Sequence, residues 1–315
     1  MPSRYPQLDP TKLARTSIAE RGGLVRVESF VHPEPPDEGF DRLAAMIPDL
    51  FGGSDFHRAW RAVVAAKSGG RGVLVMFGAH FIKCGLSRLL IDLMERGVVT
   101  AVAMNGAGAI HDYEIAKFGL TSEDVAARLP DGSFGMCAET ADGLNGAVSA
   151  GHAEGLGFGE CVGRALVGSP HADASVLASA YRLGVPATVH VGIGTDIVHQ
   201  HASADGAAIG ATSLRDMRIM SRALADVDDG VVVNIGSAVI LPEVFLKALS
   251  MARNLGSAAG RFTAVSMDMN EPYRALTNVV RRPTAQEGTG LALRGRHELL
   301  FPLFWSAVVR GLRGE

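Results

Sequence analysis

Short runs of apolar residues alternate along this chain with longer segments whose apolar positions recur at helical spacing. The runs lie at residues 73–77, 98–104, 187–191, 230–235 and 262–267. Each is short and almost continuously apolar, which is typical of strands that are buried on both faces of a parallel sheet. We therefore predict an α/β fold with a doubly wound, mostly parallel, Rossmann-like sheet. The chain is predicted to form one domain over residues 1–315, with an N-terminal helical extension in about 1–66.

Glycine-rich turns follow several of these predicted strands. Ligands bind doubly wound sheets at the carboxyl ends of the strands, where small residues let a ligand approach the backbone and a helix N-terminus attracts an anion. The predicted cofactor-binding residues are Gly78, Ala79 and His80 after the first run, Asn105, Gly106, Ala107 and Gly108 after the second, Gly236, Ser237 and Ala238 after the fourth, and Asp268 after the fifth.

Composition narrows the class of protein. Of 315 residues, 47% are hydrophobic and 20% are charged, and the net charge of −3 comes without a basic run, which disfavours nucleic acid and membrane surfaces as partners. Three cysteines without a CxxC motif favour a reducing, cytoplasmic location. The N-terminus lacks a signal-peptide pattern, and no apolar run reaches the roughly 18–20 residues of a membrane span.

Four segments, taken in order, resemble the deoxyhypusine synthase family. They are Phe-Gly-Ala-His-Phe-Ile-Lys-Cys-Gly-Leu at 77–86, Gly-Ala-Gly-Ala-Ile-His-Asp at 106–112, Gly-Ser-Ala-Val at 236–239 and Leu-Phe-Pro-Leu at 300–303. The resemblance implies a Rossmann-like NAD-binding fold, a homotetramer, and transfer of an aminobutyl group from spermidine to a lysine through an enzyme-lysine imine.

One departure from that family changes the expected reaction. The family's catalytic lysine lies shortly before the final helix, where this chain has Arg-Arg-Pro-Thr-Ala-Gln-Glu-Gly-Thr-Gly at 281–290 and no lysine. Imine formation needs a primary amine, which a guanidinium does not replace. We therefore predict an NAD-dependent enzyme of transferase or oxidoreductase type that acts on an amine-type small molecule but does not make deoxyhypusine.

Four residues are predicted to carry proton transfer. His111 follows the second glycine turn and has an ordinary pKa near neutrality, and Asp112 is close enough in sequence to orient it. Asp196 belongs to a Thr-Asp pair that resembles one in the family. Glu287 lies in the segment 277–289, predicted as a loop, where the family carries catalytic residues.

Two other functions remain open at this point. Asp196, His199 and His201 form a metal-like cluster, so the chain could be a metal-dependent hydrolase, although the sequence alone assigns no metal ligand. A ligand-binding homologue that has lost the chemistry is the second alternative.

Overall fold

Six parallel strands form the central sheet in the computed structural model of this chain. The structure describes residues 7–313, so the first six residues of the predicted N-terminal extension and the last two residues of the chain lie outside it. The strands are β1 (Val25–Arg26), β2 (Val73–Phe77), β3 (Ala101–Asn105), β4 (Leu120–Thr121), β5 (Ala187–His190), β6 (Val231–Ile235), β7 (Thr263–Asp268) and β8 (Thr289–Arg294).

Helices connect these strands. They are α1 (Ile18–Arg21), α2 (Glu38–Ala45), α3 (Phe51–Ser68), α4 (His80–Lys83), α5 (Ser87–Glu95), α6 (Gly106–Phe118), α7 (Val125–Arg128), α8 (Ala138–Ala153), α9 (Phe158–Leu166), α10 (Val176–Leu183), α11 (Gly206–Ala225), α12 (Ile240–Asn254) and α13 (His297–Gly311). Within residues 7–313, no helix is both long enough and apolar enough to cross a bilayer.

The strand order in the sheet is β5-β3-β2-β6-β7-β8, and every neighbouring pair is parallel. Counted along the chain, these six strands take the order 3-2-1-4-5-6, which is that of the doubly wound Rossmann fold. The predicted fold class is therefore confirmed. The order reverses between β2 and β6, so the topological switch point lies between the ends of these two strands.

Both faces of the sheet are covered. Val73, Val75 and Phe77 pack into one core with residues of α3, α5 and α13. Leu74 and Met76 point to the opposite face and pack with residues of α11 and α12. This alternation explains why the central strands are continuously apolar, since every side chain in them is buried.

The prediction of a loop over 277–289 is wrong at both ends. Ala275–Arg281 is a π-helical segment, and Thr289 begins the edge strand β8. Only Leu291 and Leu293 of β8 are fully buried, because an edge strand has one neighbour and partly faces solvent. Its mixed polarity therefore hid it from a search for continuous apolar runs.

The N-terminal segment contains more than helices. Val25–Arg26 forms an antiparallel pair with Leu120–Thr121, separate from the main sheet. Helix α3 lies against α13 and β8 and contributes Ala59, Val63 and Val64 to the larger core. The predicted division into one domain with an extension stays a prediction.

Candidate active site

Two neighbouring features occupy the carboxyl edge of the sheet. One is a crevice at the switch point, between the turns that follow β2 and β6. The other is a cavity beyond the ends of β3 and β5. Helix α4 joins them, because Cys84, directly after α4, faces the crevice and Lys83 lines the cavity.

The crevice is formed by two glycine turns whose backbones touch. The amide of Gly78 donates to the carbonyl of Ile235 at 2.9 Å, and a β-carbon at Gly78 would lie 2.5 Å from the carbonyl oxygen of Gly236. Gly236 has a left-handed φ of +62°, and a β-carbon there would meet the ring of His297 at 2.4 Å. Glycine is therefore required at both positions for this close approach.

The turn after β6 leads into helix α12. Ser237 Oγ accepts a hydrogen bond from the amide of Leu241 at 3.2 Å, and Pro242 has no amide hydrogen, so the first turn of α12 offers few free donors. The backbone of the turn at the exposed Ala238 is therefore the part that can receive an anionic group. Asp268 ends the neighbouring strand β7, and its carboxylate accepts from the amide of Asn270 at 3.0 Å.

The turn after β3 is arranged differently. Asn105 Oδ1 accepts from the amide of Gly108 at 3.0 Å and so caps α6. The carboxylate of Asp196 lies over Gly106, with Oδ2 1.9 Å from the position of a β-carbon on that glycine. A carboxylate therefore already holds the position at this helix N-terminus where a phosphate was expected, and Ala107 lines the cavity beside it.

The cavity has a volume of about 230 Å³, enough for a small molecule. Its wall combines apolar side chains with charged and polar ones. The residues that line it are Arg21, Lys83, Ala107, Ile110, His111, Glu114, Ser122, Glu123, Val125, Phe134, Thr195, Asp196 and Ile197.

A chain of hydrogen bonds fixes His111 in this wall. Arg21 forms a buried, bidentate ion pair with Glu114, at 2.7 and 3.0 Å. Thr121 Oγ1 donates to Glu114 at 2.6 Å, so it accepts from Nδ1–H of His111 at 2.7 Å. The hydrogen bond of the His111 ring among the described residues is made by Nδ1, which leaves Nε2 as a free acceptor.

Burial lowers the pKa of His111 to about 4. The ring is therefore neutral at pH 7 and can accept a proton from a bound molecule. The nearby charge of Glu114 opposes this decrease, while Lys83 and Arg21 add to it.

Two carboxyl groups of the cavity wall have oxygens without a hydrogen bond. Asp196 is 7% exposed and Glu123 is 8% exposed, and Asp196 Oδ2 and Glu123 Oε2 have no hydrogen-bond partner among the described residues. The closest cation to Glu123 Oε2 is Arg128 Nε at 4.0 Å. Burial raises the pKa of Asp196 to about 6 and also raises that of Glu123.

The backbone at Ser122 is strained, with a left-handed φ of +66° in a residue other than glycine. This conformation places Ser122 and Glu123 in the cavity wall before α7 begins at Val125. Such strain is common where a side chain must be held in a functional position.

The four predicted catalytic residues do not all lie in the same site. His111 and Asp196 line the cavity, but Asp112 does not. Asp112 is fully buried and accepts hydrogen bonds from Ser175 Oγ at 2.5 Å and from the amides of Val176 and Leu177 at 2.7 and 3.1 Å. Asp112 therefore anchors the N-terminus of α10, even though burial raises its pKa to about 6.

Glu287 lies at the other edge of the sheet. It precedes β8 by two residues, close to Gly260 at the amino end of β7. A strand of six residues separates the two edges by roughly 20 Å. The predicted placement of Glu287 in the active site is corrected by this topology.

The metal-like cluster suggested by the sequence also separates. Nε2 of His201 lies 2.8 Å from the carbonyl of Gly135, and His199 Nδ1 accepts from the amides of Gly194 and Asp196. In the described part of the chain, the possible ligand atoms of Asp196, His199 and His201 do not all lie within 4.8 Å of one another. These hydrogen bonds occupy one ring nitrogen of each histidine, while His199 Nε2 lies 4.0 Å from Asp196 Oδ2 and His201 Nδ1 has no hydrogen-bond partner among the described residues.

Sequence reasoning missed Arg21, Thr121 and Glu123. Arg21 is 93 residues from its partner Glu114, so no local pattern marks it. In the segment 121–124, Asp124 is the N-cap of α7. Glu123 and Asp124 are adjacent acidic residues, and the cap needs only Asp124, so Glu123 was the residue that the sequence could have marked as functional.

Comparisons with known proteins give the fold. No protein-family model matches the chain, and no curated protein matches it. A crystal structure described as a putative deoxyhypusine synthase from Entamoeba histolytica is similar at 12% identity and a TM-score of 0.50, over 88% of this chain and 97% of that one. The sequence-based resemblance is thereby confirmed at the level of the fold.

Two further solved structures are similar with slightly lower scores. A conserved putative LOR/SDH protein from Methanococcus maripaludis S2 has 14% identity over 90% of this chain and 72% of that one, with a TM-score of 0.49. AgrE, in a ternary complex with ornithine and NAD+, has 15% identity and a TM-score of 0.48 over 90% of this chain. This chain spans about a third of the length of AgrE, 34%.

Proposed function

We propose that this protein is an NAD-dependent enzyme that oxidises a small amine at a carbon–nitrogen bond. The observation that carries the proposal is the set of free acceptors in the cavity. Among residues 7–313, Asp196 Oδ2 and Glu123 Oε2 are buried without a hydrogen-bond partner, and His111 Nε2 makes no hydrogen bond. An ammonium group supplies three N–H donors, and its charge compensates the two buried carboxyl groups.

The cofactor part of the proposal depends on the crevice. A Rossmann-type sheet binds dinucleotides at its switch point, which here lies between the turns at Gly78 and Gly236. The turn at 236–238, which is exposed at Ala238 and precedes α12, is where a pyrophosphate would bind. The turn at 105–108 fits less well, because Asp196 repels an anion there. NAD, when bound, would accept a hydride.

Proton transfer falls to His111. A bound ammonium must first lose one proton from nitrogen, and loss of a hydride from carbon to the cofactor then leaves the protonated imine. Thr121 holds Nδ1–H of His111, so Nε2 is free to receive that proton. Asp196 and Glu123 would bind the ammonium, and Ile110, Phe134 and Ile197 would exclude water from the resulting imine.

Lys83 refines the class of substrate. It lines the same cavity, and no ion pair or hydrogen bond occupies it among the described residues. The Lys83 ammonium would repel a substrate whose charged groups are all positive. A substrate with both an amine and a carboxylate could instead form an ion pair between its carboxylate and Lys83. An amino acid therefore suits the cavity better than a diamine of the same length.

The test is thermal unfolding with NAD, with diamines and with ω-amino acids, followed by absorbance in the reduced-nicotinamide band. A ligand that binds only the folded state raises the midpoint. We expect shifts from NAD and from the amino acid, and turnover when both are present. No shift at millimolar NAD would overturn the cofactor part, and tight amine binding without turnover would indicate the ligand-binding homologue.

Three variants assign the roles. Asp196→Asn and Glu123→Gln should each weaken amine binding about 10- to 100-fold, since each removes a charge-assisted hydrogen bond. The exposed Glu28→Gln is the control and should bind as the wild type does. His111→Gln should bind the amine but lose turnover, which separates proton transfer from binding.

A further inference from the structure

A second cluster of side chains lies outside the cavity, in the switch-point crevice. His80, Cys84 and His297 each offer one ligand atom, and these atoms all lie within 4.8 Å of one another. His80 and Cys84 are four residues apart around the short helix α4, so they share one face of it. His297 is the first residue of α13 and comes from the other side of the crevice.

The position of His297 is built into the fold. Its ring lies over the left-handed Gly236, in space that any β-carbon at that position would fill. The residue is only 2% exposed, and neither Nδ1 nor Nε2 makes a hydrogen bond of good geometry among the described residues, although the backbone of Met267 lies near the ring. Buried polar atoms without a partner are costly and rare, so this histidine needs another ligand.

Glu298 lies beside this group through Cys84, although its carboxylate is not within 4.8 Å of all three ligand atoms. Cys84 Sγ lies 3.7 Å from Glu298 Oε2. In a tetrahedral site with metal–nitrogen bonds of about 2.0 Å and metal–sulfur bonds of about 2.3 Å, neighbouring ligand atoms are roughly 3.3–3.6 Å apart. Cys84 and Glu298 nearly satisfy that spacing, and the exposed His80 is free to rotate toward His297.

We propose that His80, Cys84 and His297 bind a divalent zinc-type cation, with Glu298 or a water molecule as the fourth ligand. Thiolate and imidazole ligands in a tetrahedral arrangement select zinc over magnesium or calcium. Binding breaks the S–H bond of Cys84 and releases its proton to solvent, while both histidines bind as neutral rings. The thiolate balances one charge of the cation, and the carboxylate of Glu298 balances the other when it is the fourth ligand.

This site shares the switch-point crevice with the proposed NAD site, but its ligands do not depend on the proposed amine oxidation. It lies at the ends of β2 and β6, whereas the amine cavity lies beyond β3 and β5. The cation would connect α4 to α13 across the switch point, and so fix the wall that Cys84 and Lys83 share. A chain that binds no NAD would still bind the metal, and metal loss would still be measurable without turnover.

The test is metal content and zinc affinity of the full chain after removal of any histidine tag. We expect one zinc per chain, a zinc-dependent increase in the unfolding midpoint, and a thiolate-to-cobalt charge-transfer band when Co²⁺ replaces zinc. Cys84→Ser and His80→Gln should weaken zinc binding about 100-fold or more, and Glu298→Gln about 10- to 100-fold. Cys84→Ser should also remove the charge-transfer band.

Two control variants locate the effect. His152→Gln changes a half-buried histidine in the last turn of α8, which packs against α6, α9 and α11, and His199→Gln changes the cluster suggested by the sequence alone. Both should keep zinc at the wild-type level. Wild-type zinc content and affinity in Cys84→Ser and His80→Gln, or loss of zinc in His199→Gln instead, would overturn the proposal. Both ligand variants involve partly exposed residues, so their folding can be checked by circular dichroism before metal analysis.

Discussion

The carboxylate of Asp196 lies over Gly106 so closely that a β-carbon on that glycine would be 1.9 Å from Oδ2. Asp196 comes from the loop after β5, whereas Gly106 is the first residue of α6. This contact aims a nearly buried carboxyl group at the cavity and excludes any larger residue at position 106.

Replacing Gly106 by alanine should therefore destabilise the fold by about 1–3 kcal/mol, because the new methyl group displaces a buried side chain. Urea unfolding measures this free energy. The control is Gly146→Ala in the exposed face of α8, where no atom lies within 4 Å of the new carbon. That change should be neutral or stabilising by about 0.5–1 kcal/mol. Equal effects at both positions would contradict the packing argument.

Removing Glu114 should destabilise the protein by about 3–5 kcal/mol, because it leaves the guanidinium of Arg21 buried without its counter-charge. Glu114→Ala is measured by denaturant unfolding. The comparison is Glu154→Ala, which breaks a similarly close but solvent-exposed pair with Arg164. Glu154→Ala should leave the free energy of unfolding nearly unchanged, because the ion pair that it breaks is exposed to solvent. A mild effect at Glu114 would mean that water enters this part of the core.

The stability difference between wild type and His111→Gln should depend on pH. The folded-state pKa of His111, about 4, is below its unfolded value of 6.5. The wild type therefore loses stability as the pH falls from about 6.5 toward 4, since the unfolded state binds the proton first. The variant lacks this loss. The gap between the two should shrink by about 1–3 kcal/mol between pH 7 and pH 4.

Unfolding of both proteins over that pH range provides the measurement. A gap that stays constant would show that His111 is not held neutral by burial. Titration of the ring by NMR offers an independent check, with a midpoint near pH 4 expected for the wild type.

Replacing Asp112 by alanine should lower the free energy of unfolding far more than replacing Glu287 by alanine. Asp112→Ala should cost at least about 2 kcal/mol, because Ser175 and two amides at the start of α10 lose their acceptor. Ligand affinity in the cavity should stay unchanged for the fraction that folds. Glu287→Ala should alter neither stability nor ligand binding, since its side chain is exposed at the amino edge. Loss of turnover in Glu287→Ala would refute this placement.

The sequence by itself determined the central strands and the turns after them. The buried run at 73–77 is strand β2 from end to end, because a strand that is covered on both faces must be apolar at every position. Glycine at 78 and at 236 indicated the carboxyl edge, and both residues lie at the switch point. These signals depend only on residues that are close in sequence, so they can be recognised from the sequence alone.

Only the tertiary structure decided which side chains meet. Arg21 finds Glu114 across 93 residues, and His297 approaches His80 through the packing of α13 on the sheet. Whether a residue belongs to the site also depended on topology. Glu287 precedes an edge strand that no apolar run marked, and strand direction then places it at the opposite end of the sheet from His111. Contacts of this kind arise from strand order and helix packing, which hydrophobic periodicity does not specify.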